Sequence, residues 1–139
     1  MVSASAQPFV PPAIPWREPR GLAALPDLGP GLNPEACRLA LARLCADADV
    51  MAVLVFGSRA RGEARPDSDL DLAVIVGRAQ LTPAEKAACC QRFRKAHGPL
   101  GVRVDLVLAG AADAERLGGS RWHVFGDVAR EGKVLYVAG

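Results

Sequence analysis

The stretch "VLVFGSRARGEARPDSDLDLAVIV" runs from Val53 to Val76. It opens and closes in apolar runs rich in branched residues, Val50–Phe56 and Leu70–Val76, both short and free of helical spacing. They predict two buried strands joined by a polar, arginine-rich loop. Side chains alternate faces along a strand, so Asp69 and Asp71 project the same way from the start of the second one. Two carboxylates held side by side repel each other and are costly to bury unpaired. A hard divalent cation removes that cost, because it takes oxygen ligands from carboxylates and substrate phosphates together. The pair is a candidate metal clamp, although D-x-D alone reads equally well as a strand-entry turn with two solvated carboxylates.

The surrounding residues tip that balance. Gly57-Ser58 directly follows the first strand, where glycine lets backbone approach a ligand and a turn into a short helix offers N–H groups to an anion. The Ser58 hydroxyl adds a donor. Arg59, Arg61 and Arg65 bring positive charge suited to phosphate. Pro66, Asp67 and Ser68 shape the turn. Further along, "VRVDLVL", Val102 to Leu108, reads as a third strand with Asp105 among apolar residues and on the opposite parity from Val104 and Leu106. If that strand lies beside the second, Asp105 completes a three-carboxylate site.

Around this centre the chain alternates helix and strand, which is the pattern of an α/β sheet domain. Asn33 caps a helix with Pro34 at its first position, running to about Ala48 with Leu39, Leu41, Leu44 and Cys45 on its apolar face. Thr82-Pro83-Ala84-Glu85 is a capping box opening a second helix to about Ala96. Ser120 caps a last helix with Trp122, Phe125 and Val128 on one side. Gly132 ends it, and Val134–Val137 makes a small edge strand. Residues 1–32 hold seven of the eleven prolines. They read as a weakly ordered arm that Phe9 and Trp16 pin to the body, and residues 33–139 as the folded domain.

The chain has 139 residues, room for one domain with a real core. Net charge is only +2, and no basic stripe is visible, which argues against direct nucleic-acid binding. No segment has the apolar length of a membrane span and no basic region opens a secretory signal, so cytoplasm is the default compartment. Cys37, Cys45, Cys89 and Cys90 form no C-x-x-C pair and read as buried small hydrophobes. His97 and His123 have no ligand pattern near them and read as helix-surface or helix-end residues.

Gly57-Ser58, ten residues, then Asp69-Leu70-Asp71 makes the pattern G-S-x(10)-D-x-D. It resembles the polymerase-beta-like nucleotidyltransferase superfamily, and within it the minimal nucleotidyltransferase branch. "VRVDLVL" is similar to that branch's third-aspartate strand and "VAREGKVLY" to its tail, so the resemblance spans roughly Pro34 to Tyr136. Glu63 departs from the small or polar residue common there. The resemblance implies a small mixed sheet flanked by helices. It implies that Gly57 and Ser58 hold a nucleoside triphosphate tail, with Arg59 and Arg61 as further phosphate contacts. Asp69 and Asp71 would bind two Mg²⁺ ions, and Asp105 the catalytic one while assisting deprotonation of the attacking hydroxyl. The implied reaction moves AMP from ATP to an acceptor hydroxyl.

Larger relatives carry an extra domain for the acceptor, for which this chain has no room. Minimal members commonly act beside a helical HEPN-type protein, as antitoxins that adenylylate the toxin. Two other readings stand beside that one. The chain is the catalytic subunit of a small-molecule nucleotidyltransferase with its acceptor pocket formed by self-association, or it is a non-catalytic nucleotide-binding partner protein.

Overall fold

The two apolar runs form β1 (Val50–Phe56) and β2 (Leu70–Val76), paired antiparallel in the computed structural model, which describes residues 9–22 and 24–139. The third strand, β3 (Val104–Gly110), lies parallel to β2 on its outer side. The last, β4 (Lys133–Val137), pairs antiparallel with β1. The order β3-β2-β1-β4 is the mixed sheet that the sequence implied, with helices against both faces.

Alternation along β1 and β2 divides the core in two. One face of the sheet presents Val53, Val55, Leu70, Leu72 and Val74 to Leu41 and Leu44 of α1 (Pro34–Cys45) and Phe93 of α3 (Pro83–His97). The four-residue α2 (Ser58–Arg61) lies in the loop between β1 and β2. The other face presents Ala52, Leu54, Ala73 and Ile75 to α4 (Ala111–Gly118) and α5 (Val124–Glu131). Asp71 has the parity of Ala73 and Ile75, so it belongs to this second face. Each fully buried large side chain here contributes roughly 1.5–3 kcal/mol.

Two of the three sequence-predicted caps form, those of Asn33 and Thr82. The Asn33 side chain accepts from the Ala36 amide at 3.0 Å. Thr82 and Glu85 exchange reciprocal hydrogen bonds of 2.9 and 3.1 Å. Trp16 is buried, with its ring edge-on to Phe125 at 6.4 Å. Arg20 pairs with Val137, extending the β4 side of the sheet. Phe9 is more exposed and lies under the Arg121 guanidinium. Residues 1–8 and 23, part of the expected arm, lie outside the described residues.

Several expectations shift. The third strand begins two residues later than the alternation indicated and continues through Ala109 and Gly110, which pair with Ile75 and Val76. On α1 the buried face is Cys37, Ala40, Leu41 and Leu44, and Leu39 is exposed. The last helix starts after His123, not at Ser120. The His123 side chain caps it by accepting from the Phe125 amide at 3.1 Å, which leaves Trp122 86% exposed before the helix. The helix α4 was not expected, because its N-cap is Gly110 with no side-chain signal. All four cysteines are free thiols; burial pushes Cys45 up to about 12 and raises Cys37 as well. His97 ends α3 and is buried rather than on its surface. Among the described residues, no helix is long and apolar enough to cross a membrane.

Candidate active site

The site is assembled where β1 ends and β2 and β3 begin. Asp71 is the register partner of Phe56 on β1 and of Asp105 on β3. The parallel pairing therefore brings two carboxylates side by side on neighbouring strands, on the same face. Asp69 stands just before β2, half-buried like the other two.

Gly57 joins this group to the turn after β1. Its φ is +72°, and a Cβ there would stand 2.2 Å from Asp71 Oδ2. Only glycine allows the Asp71 carboxylate to lie against this backbone. Ser58 follows at the first position of α2. The glycine-serine turn and the carboxylate strand, thirteen positions apart from Ser58 to Asp71, are thus in contact.

Burial holds the Asp71 carboxyl above the usual carboxylate range, and the charges of Asp105 and Asp69 push it further; Arg61 acts the other way. Asp105 is paired with Arg103, Oδ1 to Nε at 3.1 Å. Among the described residues, no three His, Cys, Asp or Glu side chains are gathered tightly enough to enclose a metal ion as they stand. The donor set is nonetheless all carboxylate oxygen and crowded with negative charge around Asp71, which suits a hard cation such as Mg²⁺.

The two arginines expected at the phosphate part company. Arg61 is exposed beside the turn, paired with Glu63 and, at 3.2 Å, with both oxygens of Glu131. Arg59 is 1% exposed and donates all its hydrogen bonds to backbone carbonyls. It is not available to a phosphate, and that expectation is corrected. Arg65 is exposed, and its amide donates to Ser68 Oγ within the turn before Asp69.

Glu131 is the residue that sequence reasoning missed. As the last residue of α5 it receives the Gly57 amide at 3.3 Å as well as Arg61, and its charge bears on Asp71. A carboxylate at the negative end of a helix is electrostatically disfavoured. That mismatch was the signal available in "VAREGKVLY".

Comparison with known families finds the polymerase beta nucleotidyltransferase model matching residues 41–117, more than half of the chain. Comparison with curated proteins finds no match. Among solved structures, the chain is similar to a toxin–antitoxin crystallised with AMP-PNP, at 23% identity over 71% of this chain and 72% of that one, TM-score 0.48. It is also similar to the toxin–antitoxin MntA-HepT, at 19% identity over 76% and 74%, TM-score 0.45.

Proposed function

The chain belongs to the polymerase beta nucleotidyltransferase family, and on that premise we propose that it transfers AMP from ATP to a hydroxyl on a partner protein. One observation carries the reading: Asp71 lies in register with Asp105 on the neighbouring parallel strand and against Gly57 of the turn. That juxtaposition supports reading the paired aspartates, the third aspartate and the glycine-serine turn as parts of one site.

In this reading Asp69, Asp71 and Asp105 hold the Mg²⁺ ions. Bound there, the ions supply neutralisation of the attacking and leaving oxygens. Gly57 and Ser58 orient the triphosphate tail through an amide and a hydroxyl. Arg61 lies within reach of the same turn as a countercharge. Asp105 accepts the proton as the acceptor oxygen bonds to the α-phosphorus. The bond from that phosphorus to the bridging oxygen breaks, and pyrophosphate leaves. The rest of catalysis is alignment by rigid strands.

The acceptor follows from the resemblance to the minimal branch, whose partner is a helical HEPN-type toxin. The test is incubation of both purified proteins with α-labelled ATP and Mg²⁺. Label should appear on the partner, and the double variant Asp69→Asn, Asp71→Asn should abolish it. A partner that is neutralised yet carries no label would refute transfer as the mechanism.

A further inference from the structure

Arg59 is a buried cation with no carboxylate beside it: no ion pair to it is found among the described residues. Such a charge is tolerated only when its donors are met. Nη1 donates to Leu28 O and Pro30 O, both at 2.9 Å. Nε and Nη2 both donate to Ser68 O, at 3.1 and 2.9 Å, and Nη2 also reaches Arg65 O and Pro66 O at 3.3 and 3.5 Å. One fork therefore ties two distant stretches together. The first is the segment just before α1, and the second is the turn that delivers Asp69 and Asp71.

The same stretches touch independently of Arg59. Gly31 has φ +91°, and a Cβ there would stand 1.9 Å from the Pro66 carbonyl oxygen. A Cβ on Gly29 would meet the Ala64 methyl at 3.0 Å. Residues 28–31 precede the span matched by the family model, residues 41–117.

We propose that residues 28–31 are a brace for the site, and that Arg59 is a positioning residue that locks the 65–68 turn and hence the reach of Asp69 and Asp71. Its catalytic part rests on the nucleotidyltransferase reading; its structural part does not. A lysine keeps the charge but has one point of attachment where the guanidinium has a planar fork, so it cannot bridge both stretches. A shift of about 1 Å in a catalytic group can cost on the order of 10²-fold in rate.

The experiment compares wild type, Arg59→Lys and Gly31→Ala by amide hydrogen exchange and by steady-state transfer. The amides of Arg65 and Ser68, bonded within the turn, should exchange about tenfold faster in both variants while core strands stay protected. In Arg59→Lys the kcat should fall roughly 10- to 100-fold with the KM for nucleotide changed less than about threefold. Unchanged exchange in the turn would overturn the brace. A raised KM with intact kcat would overturn the positioning role and return Arg59 to the phosphate. If Arg59→Lys does not fold, Gly31→Ala decides, since it strains the other contact with Arg59 intact. If wild type transfers no nucleotide, the nucleotidyltransferase reading fails, and exchange alone still decides the brace.

Discussion

At one end of the β1–β2 pair, Asp47, Asp49 and Glu85 face Arg78 and Arg92. At the other end, Asp69, Asp71, Asp105 and Glu131 gather, and among the described residues their ion-pair partners are the exposed Arg61 and Arg103. Both ends are rich in acids, but their electrostatics run in opposite directions. Burial raises the Asp47 carboxyl, yet the Arg92 hydrogen bond, the Asp49 amide and the Arg92 charge bring it below its usual range. Hydrogen bonds from Thr82 and the pairing with Arg78 lower Glu85. Asp71 goes up, through burial and then through its neighbours' charges. Carboxylates that have been given partners are holding the fold. A carboxylate crowded with its own kind, as Asp71 is, lowers the stability of the fold, a cost that the cation of the proposed reaction would relieve.

The widest separation between the two ends should be in catalysis. Asp105→Asn at the site should lower nucleotide transfer by on the order of 10³-fold, while Asp47→Asn at the far end should leave it within about twofold. Labelled transfer to the partner measures both. Equal losses would mean that the site end is no more catalytic than the other.

That contrast was only partly legible in the sequence. Asp69 and Asp71 stood out because D-x-D at a strand start puts both on one face, and Asp105 because a lone acid in an apolar strand needs a reason. Their meeting required the β2–β3 register, which periodicity alone does not fix. The roles of the loop arginines were beyond reach. Arg59 and Arg61 are two positions apart in one basic run, yet one is buried on carbonyls of residues 28–30 and 65–68 and the other is exposed between two glutamates. Composition treats them alike, and only the packing of a segment some thirty residues upstream separates them. Glu131 lies 74 residues from the glycine amide it accepts. The helix α4 went unseen because a glycine stands at its cap and β3 runs straight into it.

Glu131 sharpens the comparison from inside the site. Its carboxylate accepts from the Gly57 amide and from Arg61, two of the groups that a triphosphate would use in the proposed reaction. Nucleotide and Glu131 then compete for them. Glu131→Gln should tighten binding of a nonhydrolysable ATP analogue by about three- to tenfold, because an amide is a weaker competitor for charged and amide donors than a carboxylate. Calorimetric titration measures it. Weaker binding would instead make Glu131 part of the nucleotide site.

Stability gives the smallest effects and the clearest sign. Asp71 binds its proton more tightly in the folded than in the unfolded chain. Its contribution is therefore favourable below the unfolded carboxylate pKa and fades as pH rises through the raised folded value, so at neutral pH the charge is a cost. Asp71→Asn should raise Tm at pH 7 in EDTA by about 3 °C, and added Mg²⁺ with nucleotide should then stabilise wild type more than the variant. At the other end the linkage runs oppositely. Asp47 and Glu85 are depressed, so their contribution is present above the unfolded pKa and lost as pH falls through the folded one. Arg92→Ala removes the partner of Asp47 and Asp49 and a guanidinium stacked 5.2 Å from the Phe93 ring. It should lower Tm at pH 7 by a similar ~3 °C, the equivalent of roughly 1 kcal/mol for an exposed pair plus the stacking. The Arg92→Ala loss should shrink as pH falls through the depressed folded value of Asp47, below which that carboxylate is protonated in both states. Thermal melts across pH decide it. A Tm that falls for both variants at pH 7 would mean that the two ends are built alike, and that the crowding around Asp71 is relieved by something other than a bound cation.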